Sequence, residues 1–168
     1  MISKNEVLAS MKHEVNIIKH LAAKLRPEDL EYRPSEHQRS MLDLMKYLTV
    51  CASGPVKNVI TGNWDHMQAM NEEADKIEVA DFNAAMDRQM ALIEGWLNEF
   101  SDDDLAVKDA TMPWGAPIKG GAAVMDVGLK CLVAYRMQLF LYAKAAGHVK
   151  IGPANCWAGV DWEQPEEE

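Results

Sequence analysis

The sequence predicts an all-α protein in which four long amphipathic helices form a four-helix bundle. Apolar residues recur at steps of three or four along four windows, and no segment shows the strict alternation of a β-strand. Four such helices within 168 residues bury their apolar stripes most simply against one another. We expect one domain over 1–162, followed by an acidic, disordered tail over 163–168.

Local signals mark the ends of the first two helices. The predicted windows are 4–25, 40–60, 82–100 and 122–146. Ser3 and Glu6 have the spacing of a capping box, in which each side chain accepts a backbone N–H of the other residue. Pro27 cannot easily continue the first helix, and Ser40 is a favourable N-cap for the second.

The second window contains a helix-breaking pair. Gly54 and Pro55 interrupt it, so we expect the helix to end or kink there and to resume beyond. Between the second and third windows the pattern is looser, and a short extra helix is predicted near 67–74.

The third and fourth helices are separated by a turn and a linker. The third opens at Asp81, and Ser101–Asp104 indicates a solvated turn after it. The Pro- and Gly-rich segment 112–121 predicts a linker before the fourth helix. Gly147 is the expected left-handed residue beyond its end.

Composition limits the classes of partner. A formal charge of −9 without a cluster of Lys and Arg argues against a nucleic-acid partner. No apolar run is long enough to predict a membrane span, and no signal-peptide pattern opens the chain. Three cysteines without a close pair are typical of reduced thiols. These features predict a cytoplasmic protein with neither a nucleic-acid nor a membrane partner.

Four short motifs occur in the order found in DinB/YfiT-like proteins. They are Tyr32-Arg-Pro34, Ser40, Trp114-Gly115 and Ala134-Tyr-Arg-Met-Gln-Leu139. With the four helices, they make most of the chain resemble that family. The resemblance implies a metal held by one His of the second helix and two of the fourth, in His-x-x-x-His followed by Arg-x-Gln. Arg136 and Gln138 match this pattern.

The three ligand positions do not match the family. Cys131 and Tyr135 stand where the fourth-helix histidines would, and Tyr47 stands at the second-helix position, which is uncertain by one turn. At about 100° per residue, one face of the fourth helix points into the bundle. Its members are Cys131, Tyr135, Gln138 and Tyr142, and Cys51 lies one turn beyond Tyr47.

The chemistry of these side chains disfavours a metal. A phenol titrates near ~10 and a thiol near ~8.5, so each would have to lose a proton before binding an ion. We therefore predict no cofactor and no metal, with the rings filling the cavity and hydrogen-bonding to one another or to Gln138. A nucleophilic Cys131 is a weaker alternative, because no His lies one turn away on its face.

The sequence does not identify a reaction. It favours a helical-bundle protein without catalytic activity at the family metal site, which binds a small apolar molecule between the second and fourth helices. The pocket would involve Tyr47, Cys131 and Tyr135, lined by Cys51, Gln138 and Tyr142. Two alternatives stay open: a thiol S-transferase or hydrolase with unusual metal ligands, and a structural homodimer.

Overall fold

The chain is mainly helical in the computed structural model, which describes residues 2–161. The helices are α1 (Lys4–Ala22), α2 (Met41–Leu48), α3 (Ser53–Thr61), α4 (Met67–Asp75), α5 (Phe82–Asn98), α6 (Asp102–Val107), α7 (Gly120–Val124) and α8 (Lys130–Ala145). Short 3₁₀ turns cover Pro27–Asp29 and Val79–Asp81, and π-helical turns cover Met125–Leu129 and Ala154–Ala158. The predicted all-α fold class is confirmed, and the predicted extra helix is α4.

Four helical columns enclose the core. They are α1, the α2–α3 pair, α5 and the continuous α7–α8 column, with α1 packed between α5 and α8. The apolar stripes predicted from the sequence point inward, as shown by the fully buried side chains Met11, Leu44, Met86 and Leu139. The capping box of α1 forms as expected, because the Ser3 N–H donates to the Glu6 carboxylate at 2.7 Å.

The break in the second predicted helix lies just before Gly54 and Pro55. Proline has no N–H, and its ring would meet the carbonyl of Cys51 in a continuous helix, so it sits in the first turn of α3. The buried side chain of Gln89 bridges the gap between α2 and α3. Its oxygen accepts the N–H groups of Ala52 and Ser53 at 3.0 and 3.1 Å, and its Nε2 donates to the Leu48 carbonyl at 2.9 Å.

The fourth column contains a widened turn. Between α7 and α8 the backbone follows a π-helix over Met125–Leu129, and Gly128 lies within it. A Cβ at Gly128 would come within 2.9 Å of Val56 and 3.1 Å of Met11, so glycine allows α1 and α3 to approach this turn. Gly147 ends the column at φ 107° in a Schellman arrangement, with the His148 N–H donating to the Ala143 carbonyl.

Two segments differ from their predictions. Ser101–Asp104 is not only a turn, because Ser101 forms a capping box with Asp104 and begins α6. The predicted linker is not irregular throughout: β2 (Pro117–Lys119) lies within it and pairs in a small antiparallel hairpin with β1 (Asp109–Thr111), which ends just before it. Strands this short carry no clear alternation, which is why the sequence pattern missed them.

Two further sequence predictions concern the C-terminal tail and membrane-spanning helices. The acidic tail predicted over 163–168 lies outside the described residues. Within residues 2–161, no helix has the length and apolar character needed to cross a membrane.

A buried arginine links the C-terminal turn Ala154–Ala158 to the helical bundle. Arg136 is 1% exposed, forms an ion pair with Glu14 of α1 at 2.7 Å, and donates to the backbone carbonyl of Cys156. Burial raises the pKa of the Glu14 carboxyl, and the Arg136 charge opposes this rise. This buried ion pair therefore joins α8 to α1.

A second polar cluster fixes the segment that leads into α2. The Asp29 carboxylate is buried and accepts hydrogen bonds from the Arg26 side chain at 2.7 and 3.2 Å and from the Arg26 N–H at 2.7 Å. His148, beyond α8, lies 2.6 Å away. Hydrogen bonds from Arg26, with help from His148, hold the pKa of Asp29 well below its ordinary value despite burial.

Asp29→Asn should lower the free energy of unfolding by about 1–3 kcal/mol at neutral pH, the range for a buried hydrogen-bonded group. Because the folded-state pKa is depressed, the carboxylate stabilises the fold above about pH 4 and loses this effect as the pH falls further. Urea unfolding at pH 7 and pH 3.5 should therefore show a smaller acid effect in the variant. The exposed Asp87, paired with Lys19, is the matched control. An equal acid effect in Asp29→Asn and wild type would contradict this role.

Candidate functional site

The three family ligand positions lie close together in the structure. Tyr47 near the end of α2 and Tyr135 of α8 meet edge to face, with ring centroids 4.8 Å apart and planes at 76°. One helical turn from each tyrosine lies a cysteine, Cys51 after Tyr47 and Cys131 before Tyr135. Cys51 is 1% exposed and its thiol donates to the Leu48 carbonyl at 3.5 Å, whereas Cys131 is half-buried. Aromatic contact therefore joins α2 to α8 at this level.

Arg39, just before the N-cap of α2, covers this cluster. Its guanidinium carbon lies 4.2 Å from the ring centroid of Tyr47 and 5.8 Å from that of Tyr135. These distances allow a cation–π attraction to both rings. The Arg39 Nη1 atom is buried and has no hydrogen-bond partner among the described residues. A positive charge, with an Nη1 atom that lacks a hydrogen-bond partner among the described residues, therefore lies over the two phenols.

The phenol of Tyr47 and the thiols of Cys51 and Cys131 have raised pKa values. Burial, with the neighbouring Tyr135 phenol and both thiols, raises the pKa of Tyr47 well above its ordinary value. Burial and the nearby Cys131 raise the pKa of Cys51, although Arg39 opposes the rise. Burial also raises the pKa of the Cys131 thiol. At neutral pH these three groups are protonated, so Cys131 lacks the thiolate that a nucleophile needs.

Gln138 and Tyr142 form a separate polar contact further along α8. The Gln138 Nε2 donates to the Tyr142 hydroxyl at 2.8 Å, and that hydroxyl donates to the Arg39 carbonyl at 3.3 Å. The ring of Tyr32 meets Tyr142 edge to face at 5.7 Å. These two predicted lining residues therefore hold the backbone of Arg39, and Gln138 bonds to Tyr142 rather than to either central tyrosine.

A cavity of about 440 Å³ borders Tyr47 and has no residue of α8 in its lining. It lies between α2 and α4, and its lining residues are Arg39, Asp43, Tyr47, Val50, Asn71, Ala74 and Asp75. We call it the Arg39 cavity. The two acidic residues of the lining differ in their interactions. Asp43 accepts the Ser40 N–H in the capping box of α2 and lies 3.8 Å from Arg33, while Asp75 is exposed on α4.

The donors at the family positions fit a divalent metal poorly. Binding would require phenolates or thiolates, and burial opposes their formation at Tyr47, Cys51 and Cys131. The Arg39 guanidinium would also repel a cation placed between the rings. Within residues 2–161, no group of three or more His, Cys, Asp and Glu side chains converges at metal-binding distance.

Sequence reasoning missed Arg39 and Gln89. Arg39 precedes its helix, so helical periodicity does not assign it to a face. Gln89 lies within the apolar stripe of α5, between the buried Met86 and Met90, where a polar residue does not match the apolar pattern. A buried glutamine on an apolar face was the available signal, because such an amide needs backbone partners.

Comparisons with known proteins support the fold. No family model matches the chain. The chain is 20% identical over 151 residues to the uncharacterised protein YjoA of Bacillus subtilis (strain 168), covering 90% of this chain and 96% of the relative. The crystal structure of a DinB-like protein, YjoA from Bacillus subtilis, has a TM-score of 0.65 and 17% identity and covers 88% of this chain and 96% of that chain. The chain therefore has the DinB-like helical-bundle fold.

Proposed function

We propose that this protein is a DinB-like bundle that carries no metal at Tyr47, Cys131 and Tyr135 and binds a small organic anion in the Arg39 cavity. The observation that carries the proposal is the buried Nη1 atom of Arg39, which has no hydrogen-bond partner among the described residues. Leaving a buried donor unpaired costs about 1–3 kcal/mol, and more when the group is charged. A ligand oxygen that reaches this donor recovers that cost.

The walls of the cavity favour a carboxylate on a partly apolar molecule. Guanidinium groups bind carboxylates through two parallel hydrogen bonds, which fixes the orientation of the ligand. The ring of Tyr47 and the side chains of Val50 and Ala74 offer apolar contact beside the charge. Asn71 and Asp75 of α4 line the same space, and their side-chain oxygens can accept hydrogen bonds from a ligand. A carboxylate that also carries a hydrogen-bond donor meets both sides of this cavity.

The location refines the expectation of an apolar ligand between the second and fourth predicted helices. The contact between Tyr47 and Tyr135 occupies the space between α2 and α8, so the proposed ligand lies on the α4 side of Tyr47. The enzyme alternative receives no support from the donor set, because its metal would need ionised phenols or thiols. We therefore propose binding without assigning a reaction.

Protein purified without an affinity tag should contain well under one equivalent of zinc, nickel or iron. A chelator should leave its melting temperature unchanged, because no ion would be stabilising the folded state. Elemental analysis and thermal unfolding with and without chelator measure both quantities. A stoichiometric ion that disappears in Tyr135→Phe would contradict the proposal, since it would place a metal at the two phenols.

Rebuilding the three histidines should create a metal site that Arg39 opposes. The triple variant Tyr47→His, Cys131→His, Tyr135→His should be less stable than wild type without metal, because it buries polar rings without assured partners. Added zinc should raise its melting temperature. Adding Arg39→Met should strengthen zinc binding by about tenfold or more, since it removes a positive charge close to the ion. Equal zinc affinity with and without Arg39 would refute its electrostatic role here.

A carboxylate probe should bind in the Arg39 cavity. We expect 3-phenylpropionate, measured by calorimetry, to bind wild type and to lose about tenfold or more in affinity in Arg39→Gln, since charge-assisted hydrogen bonds contribute about 1.5–3 kcal/mol. Arg39→Lys should recover only part of this affinity because lysine lacks the planar fork. The neutral 3-phenylpropionamide should bind more weakly than the acid.

The matched control is Arg88→Gln on α5, which removes an exposed arginine outside the Arg39 cavity. It should leave the affinity for 3-phenylpropionate unchanged. Equal losses in Arg39→Gln and Arg88→Gln would show a general charge effect and would overturn the proposed site. Circular dichroism confirms that each variant keeps its helices.

A further inference from the structure

A second cavity, of about 300 Å³, has none of the residues Arg39, Tyr47, Cys51, Cys131 and Tyr135 in its lining. It is enclosed by the start of α1, the end of α5, α6 and α7. Its apolar walls are Ile2, Val7, Leu97, Leu105, Val124 and Met125. Four of these side chains, Val7, Leu97, Leu105 and Val124, are buried, whereas Ile2 is 61% exposed at the edge.

The charged groups that border this cavity are already engaged. Lys4 donates its backbone N–H to the Asp102 carboxylate at 2.7 Å. Its ammonium group donates to the carbonyls of Leu97 and Phe100 at 3.0 and 2.7 Å. Lys4 and Asp102 are the charged residues of the lining. The interior therefore presents apolar surface without an unpaired charge.

Small residues on α7 leave the cavity open. A Cβ added to Gly121 would lie 3.7 Å from the Leu105 carbonyl oxygen and 3.8 Å from the Leu105 Cβ, which is ordinary van der Waals contact. The backbone at Gly121 does not require glycine, because its φ lies outside the left-handed region. A Cβ atom therefore fits at this position without a clash, and glycine is not required there by the backbone.

The cavity also touches the irregular turn of the fourth column. Met125 lines it and is the first residue of the π-helical turn, whose widened hydrogen bond runs from the Lys130 N–H to the Met125 carbonyl. Such turns occur frequently at functional sites. A molecule in this cavity would therefore contact the π-helical turn. Within the described residues 120–145, this is the turn at which the backbone departs from the α-helix.

We infer that this cavity binds a small uncharged apolar molecule, of the size of a single aromatic ring or a short alkyl chain. The volume lies at the lower end of the range for small-molecule sites. Cavities lined by aliphatic side chains stay dry and accept such molecules, because water finds too few polar partners there. The bound molecule restores dispersion contacts that an unfilled space lacks.

Toluene tests this site, with benzoate as its charged counterpart of similar shape. Toluene should raise the melting temperature and shift the methyl NMR signals of Val124 and Met125, while benzoate should leave both signals unchanged. Gly121→Leu fills the entrance and should weaken toluene binding on the order of tenfold or more. Ala122→Leu, at the exposed rim, provides a second blocking variant and decides the question if Gly121→Leu does not fold.

Two control variants locate the effect. Gly95→Leu adds the same side chain at an open position on α5 and should leave toluene binding unchanged. Arg39→Gln should also leave it unchanged, which separates this cavity from the Arg39 cavity. The inference is overturned if toluene produces no shift in wild type, or if it binds equally well when the entrance is blocked.

Discussion

The interruption between α2 and α3 is the constraint on which the rest of the structure depends. Pro55 prevents one straight helix across this column, and the freed backbone groups lie in the core, where they need partners. Gln89 supplies three hydrogen bonds from α5 and so replaces the missing helical ones. The break is therefore held by a specific side chain and is not a region of loose structure.

This interruption sets the position of the candidate site. Because α2 ends at Leu48, Tyr47 and Cys51 lie at the junction and face α8, while α3 turns to pack against α5 and the π-helical turn. The helix α4 packs against α2. A single uninterrupted helix would carry its later residues along one axis, and the Arg39 cavity between α2 and α4 would have a different shape.

The helix α8 contacts α1, α2 and the π-helical turn Ala154–Ala158. One face of α8 contacts α2 through Tyr135, and another carries Arg136 to Glu14 of α1 and to the C-terminal segment. Gly128 in the preceding turn allows the close approach of α1 and α3 that this arrangement requires. The buried Arg136 therefore serves the packing of the bundle, while Arg39 lies over the rings of Tyr47 and Tyr135.

The sequence by itself determined the helical class, the positions of the long helices and their inward faces, because apolar periodicity and end caps are local properties. It also placed Cys131 and Tyr135 on the inward face of the fourth helix, and the proposed pocket that they form with Tyr47 remains a prediction. Tertiary structure alone decided that Tyr47 meets Tyr135, that Arg39 covers both rings, and that Gln89 bridges the break. It also decided that residues 109–119 form a hairpin. Each of these features depends on contacts between residues that are distant in sequence or that lie outside the helices. Helical periodicity does not predict such contacts, because they follow from how the helices pack against one another.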